Sequence, residues 1–538
     1  MDIAPLLQAV IIPIATSPVA YYLGKKFGSK SAWFSFAILL YSTLMLLYAA
    51  QISNPYSESY DWFAQSLNGS ALLSSIGNFG LYIDGITIPF AVTIYIICTA
   101  VALYSVPYMK HRIFEQEGVA VEQTVTVEGA EEAGEQPKEN ARTNSRFGLY
   151  FALYMLYSAG MLGVVLATNL IELYFFFEFM LVPSYFLIAE YGYGARGRIS
   201  MMYLLWTHIG ALLMLLSFLA IGTLTSSFVF LGPDQMTVSL IVGGLVPWIV
   251  FGIVVGLFVK LSAVGLHIWL PYAHAEAPTP ISALLSPAMI GIGGYIIIRM
   301  LTLLLPDAYL QIGLGLAVWG VITMFYGGIM ALAQDDLKRL FAYSSISQMG
   351  YIIFGIGTAT YLGVGGAAFQ FVSHGTGKAV LFMVAGLIIV QAGGLRSIKR
   401  MGGLSMKLPI AAVCAMIGFL GLMGFPETNG FQSEWLIFGG GLQLGSTPGP
   451  YQMTWLVVSI LAVISTIVTA SYALWTMKRV FFGQLPQELS KVKQGSYYML
   501  APIIFLAAVT ILLGVFPNLI DGPLFHTLHS PLLPLPLK

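Results

Sequence analysis

The sequence predicts an all-α polytopic membrane protein of about fourteen transmembrane helices, with two inverted five-helix repeats and discontinuous seventh and twelfth helices. Three observations predict it: composition, a succession of long apolar runs, and the placement of basic residues between them. Of 538 residues, 57% are apolar and 9% charged, against about 25% charged in a soluble domain, so most of the chain must be solvated by lipid.

The runs fall near residues 5–24, 31–51, 84–109, 147–168, 170–190, 199–222, 247–266, 282–304, 309–333, 338–357, 362–393, 408–442, 453–480 and 497–519. Most are long enough to cross roughly 30 Å of hydrocarbon. Basic residues that flank membrane spans collect on the cytoplasmic side. After odd-numbered runs lie Lys25, Lys26 and Lys30, then Lys110, Arg112, Lys138, Arg142 and Arg146, then Arg196 and Arg198. Lys338 and Arg339 follow, then Arg396, Lys399, Arg400 and Lys407, and finally Lys478, Arg479, Lys491 and Lys493. That is 20 of the 24 basic residues; Arg299 closes the eighth run outside, Lys538 ends the chain, and Lys260 and Lys378 lie within runs. Both termini are therefore expected on the non-cytoplasmic side. The first run is a full-length span without a small-residue cleavage pattern, so no cleavable signal is needed. Residues 113–145, with eight glutamates, cannot bury enough apolar surface to fold alone and read as a flexible cytoplasmic loop, either a bare insertion or a docking surface.

Two runs are interrupted. One passes Gly265 into HIWLPYAHAEAPTP with Pro271, Pro278 and Pro280; the other breaks at Pro426 and Gly430. Backbone freed at such breaks is tolerated only inside protein or beside water. Helices 4–8 and 9–13 taken as two units place each break in the fourth helix of its unit. Five is odd, so the units are inverted, the pattern of transporters with midplane sites. The expected domains are 1–109 (helices 1–3), 110–146 (acidic loop), 147–304 and 305–480 (the two repeats) and 481–538 (helix 14 and tail).

Five ionisable residues sit within apolar runs: Glu178, Lys260, His374, Lys378 and Glu434. A lysine or carboxylate costs on the order of 3 kcal/mol at mid-bilayer on insertion scales, so their retention points to charge movement. Proton exchange suits them, because burial and a nearby opposite charge shift proton affinity in opposite directions. A Glu178–Lys260 pair that associates or separates would switch Lys260; the alternative is a structural ion pair. His374 and Lys378, four residues apart on one helix face among glycines, form a hydrated relay toward Glu434. His208 is a further relay group or a hydrogen-bonded packing residue, and Glu172 a relay group or an interfacial one. His267 and His274 either take up protons at the first break or staple it. Cys98 and Cys414 are too few for an iron–sulfur cluster bound by this chain alone. No Gly-rich dinucleotide loop or His/Cys metal cluster is found, and the zero net charge does not point to nucleic acid.

Several strings resemble the antiporter-like membrane subunits of proton-pumping respiratory complex I, most closely the chain 4 type. They are GLYIDGITIPF, LIELYFFFEFMLVPSYFLI, KLSAVGLHIWLPYAHAEAPTPISALL, AQDDLKRLFAYSSISQMGY, SHGTGKAVLF and GFQSEWL, spread from Gly80 to Lys478. The resemblance assigns the fifth-helix glutamate to Glu178, the seventh-helix lysine to Lys260 and the twelfth-helix acid to Glu434, where chain 5-like subunits and some antiporter subunits carry lysine. It implies fourteen helices, two inverted repeats and a charged axis through the membrane middle. It also implies electron transfer from NADH or a similar donor to quinone in partner subunits, with flavin, iron–sulfur clusters and quinone held there and no cofactor bound by this chain. Expected partners are other membrane-arm subunits, a peripheral redox arm and the lipid of an energy-transducing, prokaryotic plasma membrane. The family also admits multisubunit Na+/H+ antiporters and membrane-bound hydrogenases; a self-contained solute symporter would need a polar substrate site that the sequence does not show. The chain departs from the family at Gly291 of MIGIGGY, where chain 4 proteins commonly carry an eighth-helix lysine, and at Glu427, where glycine is usual.

Overall fold

The computed structural model describes residues 4–52, 54–61, 76–118, 140–231 and 244–529. Helices α1 (Pro5–Phe27) and α2 (Ala32–Ile52) form an antiparallel pair. A short hairpin of β1 (Tyr56–Tyr60) and β2 (Phe79–Ile83) follows, absent from the all-α expectation. It joins the fold through polar anchors that apolar periodicity cannot show. Glu58 on β1 accepts hydrogen bonds from the Leu6 and Leu7 amides, both at 2.8 Å, and so satisfies free donors at the start of α1.

Next come α3 (Thr87–Gln116), α4 (Ala141–Leu166), α5 (Leu170–Tyr191) and α6 (Arg196–Thr225). The acidic segment is shorter than its composition suggests, because α3 runs through Gln116 and an Asn140–Thr143 capping box opens α4; residues 119–139 lie outside those described. The middle of the chain forms α7 (Val246–Leu261), α8 (Trp269–Glu276) and α9 (Thr279–Leu304). Helix α9 carries π-turns at Leu285–Met289 and Met300–Leu304. Pro287 lies in the first, and the wider turn accommodates its missing donor.

The second half comprises α10 (Pro306–Leu332), α11 (Leu337–Gly357), α12 (Tyr361–Gln391), α13 (Pro409–Leu422), α14 (Asn429–Ser446), α15 (Gln452–Phe481), α16 (Tyr497–Val515) and α17 (Asn518–Leu528). The fourteenth run thus ends at Val515, and a second short helix follows Pro517. Among the described residues, ten helical stretches are long and apolar enough to cross a membrane; α7 and α13 are shorter. Their shortness reflects interruption, since each stops inside an apolar run.

Apart from their ends, helices α9 and α12 lie inside the protein, whereas α1, α2, α6 and α15 turn broad apolar faces outward. The titratable residues of α12 are thereby placed in the centre of the molecule, out of reach of lipid.

Candidate functional site: a buried line of titratable side chains

The first break lies earlier than the prolines. Helix α7 stops at Leu261 because Ser262 and Gly265 take left-handed backbone, φ 55° and 89°. Pro271 is the third residue of α8 and Pro280 the second of α9, positions where a missing amide costs nothing. Three indoles satisfy carbonyls at the break: Trp269 Nε1 donates to Val259 O (2.8 Å), Trp206 Nε1 to Leu266 O (2.9 Å) and Trp319 Nε1 to Val264 O (3.1 Å). Two free amides are met as well. Thr323 Oγ1 accepts from Val264 N, and His267 Nδ1 from Gly265 N, while His267 Nε2 pairs with Tyr326 Oη at 3.1 Å. His267 is thereby tied to both Gly265 and Tyr326 at the break. Trp269→Phe should cost about 1–3 kcal/mol by leaving the Val259 carbonyl unpaired, visible as a lower midpoint in thermal unfolding of the purified complex.

This break sets Lys260 in the last turn of α7. Its side chain is 1% exposed, its Nζ has no hydrogen-bond partner, and it lies 4.8 Å from the centre of the Phe177 ring. The expected Glu178–Lys260 ion pair is not formed. Glu178 Oε2 is held instead by His208 Nδ1 at 3.1 Å, across the α5–α6 contact, and Glu178 Oε1 is buried without a partner. An ionised carboxylate pairs with whichever donor reaches it, and His208, with 42% of its side chain exposed, reaches it from the next helix. Sequence separation alone could not rank His208 above Lys260.

In the centre, His374 and Lys378 are both buried on α12, but they are not equivalent. Lys378 Nζ donates to Phe341 O at 3.1 Å and to Ser344 Oγ; neither ring nitrogen of His374 has a partner. His274 is also buried with both ring nitrogens unpartnered. Its ring stacks on Phe382, which meets Phe341 edge-on, and Phe341 in turn lies under Lys378. Lys338, assigned from sequence to a cytoplasmic flank, is fully buried. Its Nζ reaches the carbonyls of Ala275 and Ala277 where α8 ends, which is why a basic residue beside an apolar run is drawn inside. At Gly291 the space a side chain would fill holds the Phe371 ring. Phe371 packs on Phe90 at 4.4 Å. An aromatic pair, not a second lysine, occupies this part of the axis.

The second break runs from Met423 to Thr428, between α13 and α14. Gly424 and Glu427 have φ of 64° and 69°, and Gly430 is helical rather than the interruption. The left-handed backbone at Glu427 accounts for the glycine usual at that place. Gln348 Nε2 donates to Leu422 O (3.2 Å), Gln370 Nε2 to Gln348 Oε1 (2.6 Å), and Ser433 Oγ to Gln370 Oε1 (2.5 Å). Beside this chain of bonds the Glu434 carboxylate lies against Gly424, in the space a Cβ there would take. A side chain at 424 would displace it.

Two further charged residues, Glu172 and Arg299, are held by buried partners. Glu172 is buried and accepts from the Gly80 and Thr168 amides and from Asn169 Nδ2, tying β2 to the start of α5. Arg299, expected outside, is buried and pairs with Asp84 of the GLYIDGITIPF string. Asp84 Oδ1 also caps α3 through the Ile86 and Thr87 amides, at 3.0 and 2.8 Å. The sequence signal missed was that both lie in or beside spans, where an unpaired charge would be too costly.

The structure thus sets two helix breaks, each beside an ionisable group, with buried lysines and histidines between them. Residues 167–465 match the family described as NADH:quinone oxidoreductase/Mrp antiporter, TM, and the chain belongs to that family. Residues 75–116 match the family described as NADH-Ubiquinone oxidoreductase (complex I), chain 5 N-terminus. The chain is 33% identical over 384 residues to the F(420)H(2) dehydrogenase subunit M of Methanosarcina mazei, covering 68% of this chain and 73% of that protein. It is 32% identical over 376 residues to the NADH-quinone oxidoreductase subunit M of Rickettsia bellii, covering 69% and 73%. Among solved structures, respiratory complex I from Thermus thermophilus with bound NADH contains a chain of the same fold, with a TM-score of 0.75 at 23% identity over 97% of both chains.

Proposed function

We propose that this chain is the proton-translocating membrane subunit, of the chain 4 type, in a complex I-type oxidoreductase. Electron transfer to quinone in partner subunits, which hold the flavin, iron–sulfur clusters and quinone, drives protons along its buried line. The observation that carries this reading is Lys260: a buried amine without a hydrogen-bond partner at a satisfied helix break is costly for folding and suited to exchanging a proton. Glu178, held by His208 in this state, modulates Lys260 by leaving His208 for it. His274, His374 and Lys378 bridge, and Glu434 exchanges with the far side. Fourteen crossings follow if α7–α8 and α13–α14 each count as one interrupted span. Helices 4–8 and 9–13 then form inverted units, with both termini on the non-cytoplasmic side of a prokaryotic plasma membrane.

The test is mild-detergent purification of the tagged chain, mass spectrometry of its companions and a quinone-reductase assay. Recovery with flavin and iron–sulfur subunits and quinone reduction is expected. Recovery only with small membrane subunits lacking redox centres would make the chain part of a cation/proton antiporter, the other branch that the family description covers.

A further inference from the structure

Between Lys378 on α12 and Glu434 on α14 stands a cluster of neutral polar side chains from two other helices. Ser344, Gln348 and Tyr351 fall at intervals of four and three residues along one face of α11. Thr469 and Tyr472 face them from α15. Lys378 Nζ donates to Ser344 Oγ, Tyr351 Oη pairs with Thr469 Oγ1 at 3.1 Å, and Gln348 continues through Gln370 to Ser433, the neighbour of Glu434. The Tyr472 hydroxyl lies in the middle. Ser344, Gln348 and Thr469 surround it, yet none meets it with full hydrogen-bond geometry. Glu434 lies within electrostatic reach of both phenols, Tyr351 and Tyr472.

This differs from how the protein treats several other buried tyrosines. Tyr95, Tyr104, Tyr154 and Tyr295 each anchor their hydroxyl on a backbone carbonyl of another helix, at 3.1, 2.7, 2.6 and 2.7 Å. Such a hydroxyl is fixed as a donor. Tyr472 is fully buried with no such anchor, so its hydroxyl is free to rotate between hydroxyl and amide neighbours. A phenol is both donor and acceptor. It can accept a proton on its lone pair from one side while releasing its own to the other, then turn back.

We propose that the Tyr472 hydroxyl is the proton-passing link between Lys378 and Glu434, a role that rests on the proton-translocating function above. In one passage the Lys378 ammonium gives up a proton through Ser344 Oγ to the Tyr472 oxygen, and the phenol releases its original proton toward the Glu434 carboxylate. One proton leaves Lys378, one arrives on Glu434, and the phenol is unchanged.

The test uses the whole complex in sealed vesicles, reading protons moved per quinone reduced. Tyr472→Phe keeps the ring and removes the relay atom; pumping should fall at least tenfold, as it should in Glu434→Gln. Normal pumping in Tyr472→Phe with loss in Glu434→Gln would overturn the link alone. Normal pumping in Tyr472→Phe, Glu434→Gln and Lys260→Met together would overturn the proton-translocating reading itself. A fluorinated tyrosine placed at 472 separates passing protons from holding structure, and serves if Tyr472→Phe does not assemble. It keeps the hydroxyl while making it more acidic, so the pH profile of pumping should move toward lower pH. The groups facing this phenol are Ser344, Gln348, Thr469 and Glu434, with Tyr351 beside Thr469 and Lys378 behind Ser344; a profile unmoved by fluorination would overturn the proposal.

Discussion

Lys260→Met is expected to abolish proton pumping while leaving the complex assembled and the chain at least as stable as the parent. Methionine matches the lysine stem in length and fills the same apolar space beside Phe177. What it removes is an amine that is 1% exposed and has no hydrogen-bond partner. An unsatisfied buried polar group costs about 1–3 kcal/mol, so its removal should raise stability by up to that amount. A lysine kept for structure behaves in the opposite way, losing stability on replacement while residual activity follows assembly. Proton uptake against quinone reduction in vesicles, together with thermal unfolding of the purified complex, reads both quantities. Full pumping by a well-assembled Lys260→Met complex would remove Lys260 from the proton path.

The Asp84–Arg299 pair should show the contrary balance. Arg299→Met leaves the Asp84 carboxylate buried without its cation at the start of α3, and breaking a buried pair on one side costs about 3–5 kcal/mol. The variant is expected to reach the membrane at much reduced abundance, with pumping per assembled complex unchanged. Asp84→Asn combined with Arg299→Met should recover part of the loss, because asparagine keeps an oxygen for the Ile86 and Thr87 amides and carries no stranded charge. Wild-type abundance of the single variant, measured by quantitative blotting of membranes, would show that the pair does not hold α3 to α9.

Much of this was legible in the sequence, because the signals were long apolar runs and charges too costly to keep without a reason. Glu178, Lys260, His374, Lys378 and Glu434 all occupy the interior or a helix contact, and both breaks fall beside an ionisable group as expected. Partner choice was not legible. Glu178 has His208 and Lys260 within the same part of the fold, and which one it holds depends on helix rotation, which sequence spacing does not fix. Lys338 read as a flank because it adjoins an apolar run; only the end of α8, brought against it by folding, explains its burial. The three indoles at the first break were invisible for a related reason. Trp206, Trp269 and Trp319 lie on α6, α8 and α10, and nothing local marks their N–H groups as partners of one turn.

Those indoles also constrain how the protein can work. Swinging α8 away from α7 would strand the buried Val259 carbonyl at about 1–3 kcal/mol, and shifting the loop between them would also break the bonds from Trp206 to Leu266 and from Trp319 to Val264. Such a joint is a weld, not a hinge. The helices then serve as fixed scaffolding, and the working stroke reduces to side chains exchanging neighbours and hydroxyls turning in place, over ångströms, within a frame that stays still.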